Sequence, residues 1–171
     1  MLVTGYQLRE AIKRHTLLRD TAAAMFSDSL HKFPGEDKAD PDTLLQQFYA
    51  ADTAIARLQV AQMKYNLAVK LVIEMRKEDG PMTLAEGVKR LGGAARCEKM
   101  WRSAATPKEK RFIYEDTRRK DEERAVPALT LTEAAHRASV AAQGAGRLRQ
   151  AIAVANAREV EIEGLDASLL G

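Results

Sequence analysis

One stretch of this chain repeats apolar residues in a regular rhythm for roughly 30 residues, and this feature constrains the fold most. The residues recur at alternating steps of four and three, the spacing that holds one side of a helix against a partner helix in a coiled coil. Asp40-Pro41 precedes the rhythm, as a helix N-cap followed by proline at the first helical position. The sequence therefore predicts a long packed helix 2. Its repeating residues are Leu44, Phe48, Ala51, Ile55, Leu58, Gln62, Tyr65, Val69 and Val72.

A second apolar stripe accompanies the later half of helix 2. Val60, Met63, Leu67 and Leu71 recur at steps of three and four and widen the apolar surface of that half. A helix with so wide an apolar surface predicts packing against two neighbours, not one.

Three further helices are predicted from periodicity and capping signals. Helix 1 spans Tyr6–Leu30; helix 3 begins at the capping-box pattern Thr83–Glu86 and ends near Pro107; helix 4 begins at a second capping-box pattern, Thr130–Glu133. Alanine dominates the seam of helix 4, which predicts close approach of a partner helix. The residues predicted to face inward are Leu8, Ala11, His15, Leu18, Ala22, Met25 and Ser29 of helix 1, and Leu84, Val88, Leu91 and Ala95 of helix 3.

Composition agrees with a helical protein. Apolar residues make up 46% of the chain but aromatic residues only 5%, so Ala, Leu, Val and Ile carry the apolar content, as suits closely packed helices. We therefore expect an all-α fold, a long antiparallel helical hairpin or coiled-coil bundle of about four helices, in a single elongated domain over residues 1–171.

A charged segment separates helices 3 and 4. Residues 111–124, RFIYEDTRRKDEER, carry ten charged side chains in fourteen positions. The β-prone residues Phe112, Ile113 and Tyr114 favour a short β-like arm within a charged arm at 107–130, and a continuous charged helix is the alternative. An acidic tail is expected at 159–171.

Charge and cysteine content bear on nucleic-acid binding, on disulfide formation and on the cellular compartment. The formal net charge is +3 and the pI about 9.0, but residues 108–124 hold seven basic against six acidic side chains, so the charged segment is not a basic patch. Cys97 is the only cysteine, which excludes an internal disulfide, and we expect it to be buried as a small apolar residue. No apolar run reaches the roughly 20 residues that cross a bilayer. The sequence thus predicts a cytoplasmic protein without a membrane partner.

Short motifs in several helices suggest a family. They are Arg9-Glu10-Ala11, Pro41 to Gln46, Tyr65-Asn66-Leu67-Ala68, Asp79-Gly80 with Thr83-Leu84-Ala85-Glu86, and Leu148-Arg149-Gln150-Ala151-Ile152 running to Asn156. In these pieces the chain resembles the septicolysin-like proteins, small bacterial and phage-associated helical proteins of unknown function. The resemblance implies a long helical hairpin that self-associates, with a charged hairpin between helices 3 and 4.

No catalytic or metal-binding signature is present in the sequence. His15, His31 and His136 share no metal-ligand spacing, and no paired carboxylate or catalytic triad motif can be placed. We therefore expect a protein that is not an enzyme and uses no cofactor and no metal.

Two asparagines interrupt the apolar seams and have two interpretations. Asn66 in helix 2 and Asn156 in helix 4 could fix helix register by hydrogen bonding across the seam. Alternatively, they could face a groove and bind a ligand there.

The remaining candidates are cations and aromatic rings. Arg147, Arg149 and Arg158 give helix 4 a cationic side that could bind an anion, although exposed, solvated charge is the default for arginine. Trp101, with Arg102 beside it, and Tyr114 offer rings on which a base could stack, or could act as packing anchors.

The sequence thus leaves two functional hypotheses. The first is a homo-oligomeric helical binding or scaffold protein, whose sharpest form sequesters a small anionic, nucleotide-like ligand between subunits, as a phage-type sponge would. The alternative is a nucleic-acid-binding protein that uses the basic side of helices 3 and 4, whose affinity would fall steeply with salt.

Overall fold

A computed structural model describes residues 1–71, 73, 80–105 and 129–171, and these are mostly helical. The predicted all-α fold class is confirmed. In chain order, the elements of the described residues are β1 (Leu2–Val3), α1 (Gly5–Ser29), α2 (Pro41–Ala68), β2 (Lys70–Leu71), β3 (Met82–Thr83), α3 (Leu84–Ala104), α4 (Leu131–Asn156), β4 (Val160–Glu161) and a 3₁₀ turn (Ala167–Leu169).

Side-chain caps fix where three of the helices begin. Asp40 caps α2 by accepting hydrogen bonds from the N–H and Oγ1 of Thr43, at 2.9 and 2.8 Å, and these bonds lower the pKa of its carboxyl group. Thr83 and Glu86 form the predicted capping box at α3. At α4 the N–H of Glu133 donates to Oγ1 of Thr130. The helix starts read from the sequence are therefore confirmed.

The end of α2 differs from the prediction. The apolar rhythm predicts a helix that runs through Val69, but α2 ends at Ala68, because Val69 takes an extended conformation with φ −75° and ψ 127°. Its N–H still bonds to the carbonyl of Tyr65, and its carbonyl accepts from the N–H of Leu84. The chain then enters β2, so an extended segment continues an apolar pattern that began as a helix.

Two short antiparallel strand pairs were not predicted. β1 pairs with β4, in the register Leu2 to Glu161 and Val3 to Val160. β2 pairs with β3, with Lys70 opposite Thr83. The acidic tail thus contains a paired strand, which places Ile162 in the core with 3% of its surface exposed.

Contacts divide the described chain into two compact units. Unit 1 contains Met1–Gly87 and Ala151–Gly171, and unit 2 contains Val88–Gln150. The expectation that residues 1–171 form one domain stays a prediction.

Within unit 1, α1 and α2 form an antiparallel hairpin. The start of α1 lies at the end of α2, where Gly5 meets Tyr65, and farther along Arg19 pairs with Asp52 at 3.4 Å. Near the turn, Ala22 and Phe26 line a crevice together with Leu44. The core side chains of unit 1 include Val3, Leu8, Ala11, Ala22, Leu44, Ala51, Ile55, Leu58, Tyr65, Val69, Leu71, Leu84, Ile152 and Ala155.

Part of the predicted inward stripe of α1 is wrong. Leu18 and Met25 are 54% and 46% exposed. At 100° per residue both lie at one edge of the stripe, roughly 45–65° from the mean direction of the buried Leu8, Ala11 and Ala22.

Unit 2 buries little of α3. Its buried side chains belong to α4 and are Ala134, Ala145 and Leu148. Val88, which was predicted to face inward, is 48% exposed, and Cys97 is exposed as well, so its predicted burial is wrong. The reason is shared, because α3 buries only Leu84 and Gly87, which lie at its start in unit 1.

Two predictions fall partly or wholly outside this description. Most of the charged arm at 107–130, including Tyr114, lies outside the described residues, as does Val72. Among the helices of the described part, none is long and apolar enough to cross a membrane.

The first turn of α1 is closely packed around Gly5. A Cβ added at Gly5 would overlap Oδ1 of Asn156 and lie 2.9 Å from Cε1 of Tyr65, which is too close for real Cβ atoms. Tyr65 has no exposed surface. Glycine at position 5 therefore lets the first turn of α1 approach both side chains.

We predict that Gly5→Ala lowers the free energy of unfolding by about 1–3 kcal/mol, because the added methyl group forces buried side chains apart. Urea unfolding followed by circular dichroism measures the change. Gly80→Ala is the control in the same unit, since a Cβ there meets nothing within 4 Å. It should leave stability unchanged or raise it by up to about 1 kcal/mol, and equal losses in the two variants would contradict the packing argument.

Candidate functional site

The candidate ligand residues are divided between the two units. Asn66, Asn156 and Arg158 belong to unit 1, and Trp101, Arg102, Arg147 and Arg149 belong to unit 2. Tyr114 lies outside the described residues. A role for any of them in ligand binding stays a prediction.

Tyr65 joins the end of α2 to the end of α4, and we call this contact the Tyr65 junction. Its hydroxyl oxygen lies 2.8 Å from the carbonyl oxygens of both Ala155 and Arg158, so its one proton is shared between two acceptors. The carbonyl of Ala155 lies in the last turn of α4 and also accepts from the N–H of Arg158 at 3.2 Å, whereas Arg158 lies two residues beyond the helix. A buried hydroxyl from α2 therefore bonds to the backbone at the C-terminal end of α4.

Asn156 and Arg158 take part in the same junction. Asn156 is 5% exposed, and its Nδ2 donates to the carbonyl of Ile152 at 2.9 Å, while its Oδ1 faces Gly5. The Arg158 guanidinium donates from Nη1 to the carbonyl of Lys70 at 3.0 Å. Both side chains thus bind this chain's own backbone. Asn66, the neighbour of Tyr65, is half-buried.

The unit 2 candidates gather around Glu98 and Trp101. Arg102 donates to Oε1 of Glu98 at 2.7 Å, and Arg149 lies 4.0 Å from Oε2 of the same carboxylate. The guanidinium carbon of Arg137 lies 5.0 Å from the centre of the Trp101 ring, a cation–π contact. One face of the predicted stacking ring is therefore covered by this chain's own arginine. Arg147 is exposed.

Unit 1 exposes apolar side chains along one side of α2. Five large apolar side chains of this helix are between 38% and 61% exposed. At 100° per residue they fall within about 60° of one another, and lie roughly 170° from the centre of the buried residues of α2. We call these five residues the outer stripe: Leu45, Tyr49, Val60, Met63 and Leu67.

A groove of about 400 Å³ adjoins the outer stripe. One wall comes from α2, including Arg57, Val60 and Lys64, and the other from the C-terminal segment 162–169. Hydrogen bonds from Ser168, together with the charge of Arg57, lower the pKa of Asp166 at its rim. The groove thus presents an apolar floor with two cations and two acidic side chains around it.

The C-terminal segment is held in place by α1. Arg14 Nη2 donates to the carbonyl of Leu170 at 2.8 Å, and His15 Nε2 lies 3.1 Å from the carbonyl of Leu169, where its N–H can donate. On the other side, Lys64 Nζ lies 3.4 Å from the carbonyl of Glu163. These contacts make the tail a wall of the groove.

Sequence reasoning found only part of this surface. The second stripe predicted on helix 2 contained Val60, Met63 and Leu67 but missed Leu45 and Tyr49, although they continue the same spacing of three and four toward the N-terminus. The second wall of the groove, formed by the C-terminal segment, was not predicted either. The apolar residues Ile162, Leu165 and Leu169 could have indicated that this segment packs against the rest of the chain.

The described residues hold no group of three or more His, Cys, Asp or Glu side chains arranged to bind a metal ion.

Comparison with known proteins gives one structural likeness. No protein-family model matches the chain, and no curated protein matches it. A crystal structure of a functionally unknown conserved protein from Corynebacterium diphtheriae is similar, with a TM-score of 0.67 and 15% sequence identity over 94% of this chain and 100% of that chain. At this identity the likeness shows the fold alone. The resemblance to septicolysin-like proteins stays a prediction.

We predict that Tyr65→Phe lowers the free energy of unfolding by about 1–2 kcal/mol, because the carbonyls of Ala155 and Arg158 lose the hydroxyl of Tyr65 as a donor. Chemical denaturation provides the measurement. Tyr49→Phe is the matched control, since Tyr49 is 61% exposed, and it should change stability by less than about 0.5 kcal/mol. Equal effects of the two substitutions would show that the junction hydrogen bond contributes nothing.

The junction also predicts a pH dependence. Burial raises the pKa of Tyr65 above its ordinary value of 10.0, against the opposing effects of the Gly5 backbone and the Arg158 charge. Above pH 10 the unfolded chain therefore loses this proton while the folded protein keeps it, so stability falls as pH rises. The stability difference between wild type and Tyr65→Phe should be complete below pH 10 and should shrink above it. A difference that grows with pH would contradict this sign.

Proposed function

We propose that this protein is a homo-oligomeric helical scaffold, without catalytic activity, whose copies associate through the outer stripe. The observation that supports it is that α2 is apolar on two opposite sides, one buried in the hairpin and the other exposed. Large contiguous apolar surfaces on a folded protein commonly mark sites of association. Closed association of identical copies is the commonest way in which soluble proteins cover such a surface.

The size of the stripe is adequate for a specific interface. Each of its five side chains exposes roughly 100 Å², so complete burial of two stripes would remove at most about 1,000 Å² from water, at the lower limit for a specific protein interface. Apolar burial stabilises by about 25 cal/mol per Å² before the costs of association are subtracted. The stripe therefore supports a dimer of moderate affinity.

We predict that Met63→Glu shifts the protein from oligomer to monomer, because a carboxylate would lose its hydration within the interface. Sedimentation velocity over a series of concentrations measures this shift. Met100→Glu is the matched control, since Met100 is also exposed, at 71%, but lies on α3. It should leave the sedimentation coefficient unchanged. A wild-type protein that stays monomeric at all concentrations would contradict the proposal.

A second candidate function is sequestration of a small anionic ligand, and the groove beside the outer stripe favours it. Arg57 and Lys64 supply two cations above an apolar floor, a combination that suits an anion with a flat or apolar body, provided that it binds on their side of the groove, away from Glu163 and Asp166. Because Val60 belongs to both the groove and the stripe, association of two copies would place their grooves near the interface.

The alternative of nucleic-acid binding has less support from the described residues. That hypothesis relies on the basic side of helices 3 and 4, where Arg102 of α3 and Arg149 of α4 both lie at the carboxylate of Glu98. A phosphate there would have to compete with a carboxylate already in place.

For the sequestration candidate, we predict that native mass spectrometry of protein purified from its host shows an oligomer that carries a nucleotide-sized anion, released on denaturation. Arg57→Ala combined with Lys64→Ala should remove the bound mass without changing the oligomer. An oligomer with no bound mass would contradict sequestration and leave the scaffold proposal standing.

A further inference from the structure

The spacing of the outer stripe contains a symmetry. With the intervening positions Asp52 and Ala56, its members stand at 45, 49, 52, 56, 60, 63 and 67, separated by steps of 4, 3, 4, 4, 3 and 4. This order reads the same from either end, with Ala56 at its centre. A two-fold axis through Ala56 therefore places every position of the series opposite another member of the series.

We propose that two copies pair their α2 helices antiparallel, with Ala56 facing Ala56 on the two-fold axis. This inference rests on the proposed function, because it specifies the geometry of the association through the outer stripe. In this register Leu45 lies opposite Leu67 of the second copy, and Tyr49 lies opposite Met63. The larger side chains of the series then lie on both sides of the Ala56–Ala56 contact.

The residue at the centre suits this arrangement. Ala56 is the smallest side chain of the series, so the two helices can approach most closely at the axis, where each copy presents the same residue. Larger side chains toward the ends fill the space as the helices diverge. A parallel pairing would instead place Leu45 against Leu45 and Leu67 against Leu67, without a two-fold axis crossing the middle of the helix.

The one charged position in the series already has a partner. Asp52 would face Val60 of the second copy, and a carboxylate at an interface is costly unless it is paired. Nη1 of Arg19 lies 3.4 Å from Oδ1 of Asp52 within the same copy, and the Asp52 side chain is 56% exposed. The ion pair can stay at the rim while the apolar side chains meet.

Disulfide trapping tests the register. Cys97 is first replaced by serine, which removes the only native thiol. Leu45→Cys and Leu67→Cys are then made separately in that background. One of the two variants carries an affinity tag, so that mixed and unmixed dimers can be told apart. Antiparallel pairing places position 45 next to position 67 of the second copy, whereas the two positions 45 are separated by about 33 Å, since 22 residues rise 1.5 Å each. We therefore expect mild oxidation of the mixture to yield the 45–67 dimer and little 45–45 or 67–67 dimer.

Ala56→Cys in the same background should cross-link with itself, while Cys97 alone, in the otherwise unchanged chain, should cross-link much less. Circular dichroism confirms that each variant is folded, and sedimentation velocity of the unoxidised variants reports whether they associate. Dominant 45–45 and 67–67 products would overturn the antiparallel register but keep the outer stripe as the interface. Dimers that sediment as such but cross-link at none of these positions would overturn both the register and the use of the stripe. A monomer would overturn the proposed function together with this inference.

Discussion

The hydroxyl of Tyr65 is the contact on which the organisation of unit 1 depends. Through the carbonyls of Ala155 and Arg158 it fixes the end of α4 against the end of α2, and the tyrosine ring adjoins Gly5 at the start of α1. Three helix ends therefore meet around one buried side chain. Because buried backbone carbonyls need donors, the hydroxyl of Tyr65 favours this arrangement of the helix ends.

The junction also explains how the short strands arise. Once α4 ends at Asn156, the chain reaches β4 within four residues, and β4 pairs with β1, which directly precedes α1. The guanidinium of Arg158 then bonds to the carbonyl of Lys70 in β2. From the sequence, Arg158 is expected to form part of a cationic surface for a ligand. In the structure, its guanidinium holds two backbone segments of unit 1 together.

Local signals predicted the helices well, and long-range pairing explains most of what was missed. Asp40 and the Thr83–Glu86 box could be recognised because a cap and its partner lie within three residues of each other. The β1–β4 pair joins residues 157 or more positions apart, and each strand contributes only two residues. No periodic pattern in the sequence therefore indicates it. Asn156 was recognised as unusual in an apolar seam, but its neighbour Gly5 is far away in sequence. The burial of Cys97 was predicted from the average behaviour of cysteine, whereas no residue of α3 after Gly87 is fully buried.

The sequence of unit 1 is interrupted by the whole of unit 2, and this affects the order in which it can fold during synthesis. The hairpin of α1 and α2 is complete once Ala68 has been made, but the acceptors of Tyr65 follow 90 and 93 residues later. At typical synthesis rates, the hairpin therefore lacks these acceptors for roughly 5 to 20 s. During that interval the buried stripe of α2 lacks the helix end and tail segment that later cover part of it, while the outer stripe is exposed as well. The nascent chain would therefore be most vulnerable to aggregation, and most in need of chaperone protection, between the completion of α2 and the completion of α4.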